Sequence, residues 1–122
     1  MKIVMDTNFL VYTVSYGILN QIEKPDITLI VPSKVVDELE RLSEREKKAR
    51  DRDAAKFALY IIYKTGIKIV RSESRAADES VMEVAKKEDA YLATLDDELA
   101  RNARARGIKI VGIRQKKYIS IP

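Results

Sequence analysis

The sequence predicts an α/β protein built on a parallel sheet. Short runs of Ile, Val and Leu alternate along the whole chain with longer stretches at helical spacing. The runs are unbroken rather than alternating apolar and polar, which is the pattern of strands buried on both faces. Glycines also stand where helices should end ahead of a strand.

The elements follow in order. Lys2–Met5 is the first apolar run, and residues 8–22 carry helical spacing after it. Thr28–Val31 is the second run. Pro32-Ser33 before Val35 reads as a helix start, opening a helix over 33–47. A third helix over 51–65 ends at Gly66, and Lys68–Arg71 is the third strand. Ser74 is positioned to start a helix over 76–88, followed by the strand Tyr91–Thr94. A helix over 96–106 ends at Gly107, before the strand Lys109–Ile113. The order β-α-β-α-α-β-α-β-α-β implies a sheet wound on both sides. The alternation Ile119-Ser120-Ile121 is either an added edge strand or a contact between copies. No repeat, low-complexity tract or linker marks a boundary within the 122 residues, so one domain is expected.

No window approaches the roughly 18 uninterrupted apolar residues of a membrane helix. Asp6 interrupts the first apolar run too early for a signal peptide, so a cytoplasmic protein is expected. Two absences restrict the chemistry. Without cysteine there is no disulfide, thiolate ligand or thiol nucleophile, and without histidine there is no Ser-His-Asp triad or imidazole-bound zinc. Carboxylates, Lys, Tyr, hydroxyls or a metal held by oxygen remain.

The net charge of +4 is unevenly spread. Residues 99–122 hold seven basic groups and no acid, which leaves 16 basic against 19 acidic groups in residues 1–98. A basic C-terminal quarter beside an acidic body either holds a polyanion or is a solvated helix and tail.

Four acids are singled out by position. In open α/β sheets ligands bind beyond the carboxyl ends of the strands, where strand order reverses. Asp6 directly follows the first strand, and Asp96 follows the fourth. Each alone is explained by helix capping. On the second helix, Val35, Val36, Leu39 and Leu42 form the buried stripe and Glu38 lies at its margin, while Asp37, Glu40 and Glu44 point away. On the fourth, Asp78 shares the core face of Val81, Val84 and Ala85, while Glu79 and Glu83 turn outward. Four converging carboxylates repel one another, and a divalent cation relieves the repulsion. Oxygen-only donors favour Mg²⁺ or Mn²⁺, and such clusters serve phosphate chemistry. Thr7, Asn8 and Thr94 are the nearby polar groups, Thr7 expected as a helix cap.

Asp6-Thr7-Asn8, Val36-Asp37-Glu38-Leu39, Ala77-Asp78 and Thr94-Leu95-Asp96 together resemble the ordered motifs of the PIN-domain ribonucleases. The resemblance runs to about residue 112. It implies a three-layer α/β/α fold with a five-stranded parallel sheet in order 3-2-1-4-5. It implies Mg²⁺- or Mn²⁺-dependent hydrolysis of single-stranded or structured RNA leaving a 5′-phosphate. Carried over, Asp6, Glu38, Asp78 and Asp96 are the catalytic, metal-holding acids, with Asn8, Thr94 and Asp97 in support. Asp6, Asp78 and Asp96 would anchor the metal while Glu38 orients water or completes the shell. Glu79 stands where many relatives have the second acid of an Asp-Asp pair. The resemblance extends two ways, to archaeal PIN proteins related to rRNA-processing nucleases and to VapC toxins silenced by an antitoxin; it also implies a homodimer.

Arg101, Arg104, Arg114, Lys116 and Lys117 are expected to hold the RNA backbone. The mixed-charge run 44–53 reads as a solvated helix surface, and Tyr60 and Tyr63 as core or dimer contacts. Other strand-end aspartate enzymes fit worse. Phosphatases of the haloacid dehalogenase type need a second Asp where Asn8 stands, and receiver domains need an acidic pair before Asp6. The four dispersed glycines form no phosphate loop. A PIN scaffold that binds RNA or ribosomes with little catalysis is the alternative to an enzyme.

Overall fold

The computed structural model describes residues 1–122. Six strands form one sheet: β1 (Lys2–Met5), β2 (Thr28–Pro32), β3 (Lys68–Val70), β4 (Tyr91–Ala93), β5 (Ile110–Arg114) and β6 (Tyr118–Ser120). The helices are α1 (Thr7–Ser15), α2 (Ser33–Arg45), α3 (Ala49–Thr65), α4 (Ala77–Lys87) and α5 (Asp97–Ala105), with a short 3₁₀ turn at Leu19–Ile22. The sheet order is β3-β2-β1-β4-β5-β6. Its first five strands are parallel, as expected, with Ile3 beside both Leu29 and Tyr91. The sixth strand is antiparallel and pairs Gly112 with Ser120, which settles the C-terminal alternation as an edge strand.

Successive strand residues point to opposite faces. Ile3, Val4 and Met5 are all fully buried, as are Ile30 and Val31 on β2 and Leu92 and Ala93 on β4. The central strands are therefore covered on both sides, which requires helices in two outer layers. Phe9 and Leu10 of α1, Leu39 of α2, Ile62 of α3, Val84 of α4 and Leu99 of α5 join those strands in one apolar cluster of 30 residues. Each large apolar side chain buried there contributes about 1.5–3 kcal/mol.

Helix ends depart from the sequence expectation where local chemistry intervenes. The helix expected over 8–22 stops at Ser15, because Gly17 takes a left-handed φ of 68° and the Ile18 N–H returns to the Thr13 carbonyl. Gly66 caps α3 in the same way, with φ 71°. Ser33 does not cap α2; its hydroxyl accepts the Ser72 N–H at 3.1 Å. The helix nevertheless begins at Ser33 as expected, whereas Ser74 lies three residues before α4 and is bound to Glu83.

Candidate active site

Strand order reverses between β1 and β4, and Asp6 and Asp96 follow those two strands. The Asp6 N–H donates to the Ala93 carbonyl at 3.1 Å, so Asp6 extends the β1–β4 ladder by one residue. Thr94 extends the β4–β5 ladder through the Val111 carbonyl. The two side chains meet: the Thr94 hydroxyl donates to Oδ2 of Asp6. The Asp96 N–H then donates to the Thr94 hydroxyl at 3.0 Å.

Both aspartates also cap helices. Oδ1 of Asp6 accepts the Phe9 N–H at 2.8 Å, and Oδ1 of Asp96 accepts those of Glu98 and Leu99 at 2.9 and 3.1 Å. Capping and a site role do not compete, because each cap engages a single oxygen. Thr7 is not a cap. Its hydroxyl is buried without a hydrogen-bond partner, since Asp6 already satisfies the helix end.

Burial is the chief cause that pushes the Asp6 carboxyl above the usual carboxylate range. The hydrogen bonds from Thr94 and Phe9 oppose it, and the negative charges of Asp78 and Asp96 add to it. Asp6, Asp78 and Asp96 thus share one electrostatic neighbourhood. Glu38 lies half-buried on α2, as its stripe position required, but it is not among the charges acting on Asp6.

Asp78 is exposed rather than on the core face. It belongs to the first turn of α4, beyond the carboxyl ends of the strands, so its inward bearing faces the open sheet edge. Glu83 is half-buried and does not simply turn outward. Its carboxylate accepts the Glu73 and Ser74 N–H groups at 2.9 and 3.0 Å, together with the Ser74 hydroxyl. Those bonds hold its carboxyl below the usual range and fasten the loop that delivers Asp78. Asp97 and Asn8 are exposed near this edge.

No three acids stand close enough to form a ready cation cage. The donor chemistry nevertheless suits a hard divalent cation: the set is oxygen-only, and two like charges press on a half-buried third. An open cleft of about 760 Å³ leads from this edge, lined by Asn8 and Asp96, then Tyr12 of α1, Tyr16 at its C-terminal end and Arg50 of α3. The two tyrosines were not singled out in the sequence, although the spacing of four puts Tyr12 on the Asn8 face of α1 and Tyr16 just past its end.

The expected RNA-binding groups divide. Arg101 is exposed on α5. Arg114, Lys116 and Lys117 belong to the exposed β5–β6 hairpin, and the Tyr12 hydroxyl donates to the Lys116 carbonyl at 2.9 Å. Arg104 lies in the last turn of α5 and borders a cavity at the other end of the sheet, with Lys109 and Pro122. Tyr60 and Tyr63 are exposed on α3, not core.

The sequence profile of the PIN like domain matches residues 3–116. The chain belongs to the PIN-like domain family. Among its PIN relatives, Ribonuclease VapC4 of Methanocaldococcus jannaschii is 33% identical over 98% of this chain and 95% of its own length. Ribonuclease VapC9 of Archaeoglobus fulgidus is 31% identical over 97% and 87%. The fold matches a domain of a functionally unknown M. jannaschii protein with a TM-score of 0.67 at 22% identity, covering 93% of this chain and 91% of that one. It also matches a chain of the VapBC2 structure from Rickettsia felis, bound to a promoter DNA fragment, with a TM-score of 0.66 at 16% identity, covering 93% and 100%. The PIN fold expected from the four motifs, in its strand order 3-2-1-4-5, is the fold observed, with one strand added.

Proposed function

We propose that this protein is a metal-dependent ribonuclease of the VapC toxin type, one domain over residues 1–122, with its active site at Asp6, Glu38, Asp78 and Asp96. The observation that carries this reading is the half-buried Asp6, held by Thr94 at the sheet's switch point under the field of Asp78 and Asp96. Asp6, Asp78 and Asp96 would hold Mg²⁺ or Mn²⁺, with Asp97 as a further acid at hand. A bound cation supplies Lewis-acid stabilisation of the charge on the phosphoryl group.

The chain's own groups do the rest. Thr94 holds Asp6 in one orientation and, by donating to it, favours its ionised form. Glu38 orients the attacking water, which displaces the ribose 3′-oxygen from phosphorus and leaves a 5′-phosphate. Asn8 steadies the substrate beside Asp96, and Glu83 keeps the Asp78 turn in place. Arg101 and the hairpin cations Arg114, Lys116 and Lys117 neutralise the RNA backbone.

Both relatives bear the name Ribonuclease VapC, which favours the VapC type over an rRNA-processing role. A toxin requires an antitoxin, and in the fold neighbour from R. felis the two come as a VapBC complex. The exposed Phe57, Tyr60 and Tyr63 on α3 are available for a homodimer in the cytoplasm.

The test is cleavage of a labelled single-stranded RNA with Mg²⁺, Mn²⁺ or EDTA, for the wild type and Asp6→Asn. Metal-dependent cutting that the substitution abolishes supports the reading. RNA binding without cutting by either protein favours the scaffold alternative.

A further inference from the structure

Resting on the ribonuclease reading, the cleft beside Asp96 defines the form of RNA that the site takes. Asn8 and Tyr12 lie one turn apart on α1, Tyr16 is the residue that ends the helix, and all three line the same cleft. Asn8 and Asp96 stand at the acidic end of that cleft, and Tyr16 at the other. Tyr12 is half-buried and fixed, its hydroxyl tied to the hairpin at Lys116. The Tyr16 ring lies against it, with centroids 4.5 Å apart and planes inclined at 34°. Tyr16 is nevertheless 68% exposed.

Other aromatic residues of the chain are exposed too, but Tyr16 is the most exposed of them and the one among them that borders the cleft. One ring is locked from behind, and the other is braced against it with a free face toward the cleft. The opposite wall carries Arg50, in the first turn of α3, which makes no salt bridge. Asp51 lies next to it, so the wall is not uniformly basic and bulk charge attraction does not account for the groove. A braced ring, a free guanidinium and a polar end at the acids match an exposed nucleobase with its phosphate.

We propose that Tyr16 is a stacking platform for an unpaired nucleobase, with Arg50 on an adjoining phosphate, so that the cleft selects single-stranded over duplex RNA. Bases inside a helix have both faces stacked and cannot reach the ring, whereas splayed bases stack on aromatic side chains without regard to sequence. Tyr16 is a substrate-positioning residue, and Tyr12 is its support.

The experiment measures binding of a fluorescently labelled single-stranded RNA and of the same sequence as a duplex. It uses the full chain in the Asp6→Asn background with Mg²⁺, so affinity is read without turnover. Tyr16→Ala is expected to weaken single-strand binding by about 5- to 100-fold and leave duplex binding unchanged. Tyr16→Phe, which keeps the ring, is expected to bind as the parent does. Removing one base at a time from the RNA adds a second readout. At one position the parent should lose affinity while Tyr16→Ala loses nothing further. Arg50→Ala should reduce the salt dependence by about the amount for one phosphate.

Unchanged single-strand binding in Tyr16→Ala overturns the proposal and leaves the cleft to a protein segment. Equal losses for single strand and duplex overturn it too. If the wild type fails to cut RNA, the catalytic reading falls separately, because the binding comparison does not depend on cleavage.

Discussion

The Thr94 hydroxyl joins two aspartates that lie 90 positions apart in the chain: it donates to Oδ2 of Asp6 and accepts the N–H of Asp96 at 3.0 Å. Removing it while keeping the shape, as in Thr94→Val, takes away a bond that lowers the Asp6 pKa, so the carboxyl rises further. The acid limb of the pH–rate profile is expected to move to higher pH, and cleavage to fall by about 10- to 100-fold. Thr94→Ser restores the donor and should restore both. A pH–rate series on the three proteins checks this.

The burial of Asp6 has a stability consequence whose sign is fixed. Its pKa is raised in the fold, so the native state holds the proton more tightly than the unfolded chain does. Stability therefore falls as pH rises from about the ordinary value of 3.8 through the raised one, and stays lower above it. Asp6→Asn should melt higher than the wild type at neutral pH, with the gain vanishing in acid. Saturating Mg²⁺ or Mn²⁺ should reverse that order. A cation at about 100 times its Kd adds about 2.7 kcal/mol to the wild type and little to the variant. Denaturant titrations at two pH values, with and without metal, read both effects.

The β5–β6 hairpin is fastened from a distance. The Gln21 amide donates to the Lys117 carbonyl at 2.8 Å and accepts the Ile119 N–H at 2.8 Å. These bonds hold a turn in which Gln115 and Lys116 both adopt positive φ, at 52° and 60°, a conformation that L side chains occupy only when their surroundings impose it. Gln21→Ala should destabilise the hairpin locally by about 1 kcal/mol for each bond lost. Hydrogen exchange at Ile119 should quicken while β1 and β4 amides stay protected.

The basic groups make a contrast within one chain. Arg114→Ala, Lys116→Ala and Lys117→Ala each remove a cation from the hairpin tied to Tyr12, and each should lower the salt dependence of single-strand RNA binding by about 0.7. Arg104→Ala should leave it unchanged, because Arg104 faces the opposite end of the sheet. Affinities at several salt concentrations separate the two groups.

The sequence made the strands legible because β1, β2 and β4 are covered on both faces and so read as unbroken apolar runs. The strand-end positions of Asp6 and Asp96 were legible, as was the half-buried position of Glu38 from its angle on α2. Angle alone misplaced Asp78, because a helical wheel carries no information on where the sheet stops. Gly17 was in plain view as a helix stop, yet the apolar spacing beyond it concealed the break. The bonds from Ser33 to Ser72, Glu83 to Ser74 and Tyr12 to Lys116 were not legible, since they join side chains to groups that only the finished fold brings together. The cleft of Tyr12, Tyr16 and Arg50 escaped for the same reason.

The most direct test is the single-turnover cleavage rate of one single-stranded RNA, in Mg²⁺, for Asp6→Asn, Glu38→Gln, Asp78→Asn and Asp96→Asn, with Glu40→Gln as control. Glu38 and Glu40 share α2, but only Glu38 borders the buried stripe. Losses of about 100-fold or more in all four, with the control at the wild-type rate, are the expected result. Wild-type rates in Asp6→Asn and Asp96→Asn would contradict the account, whatever the other variants do.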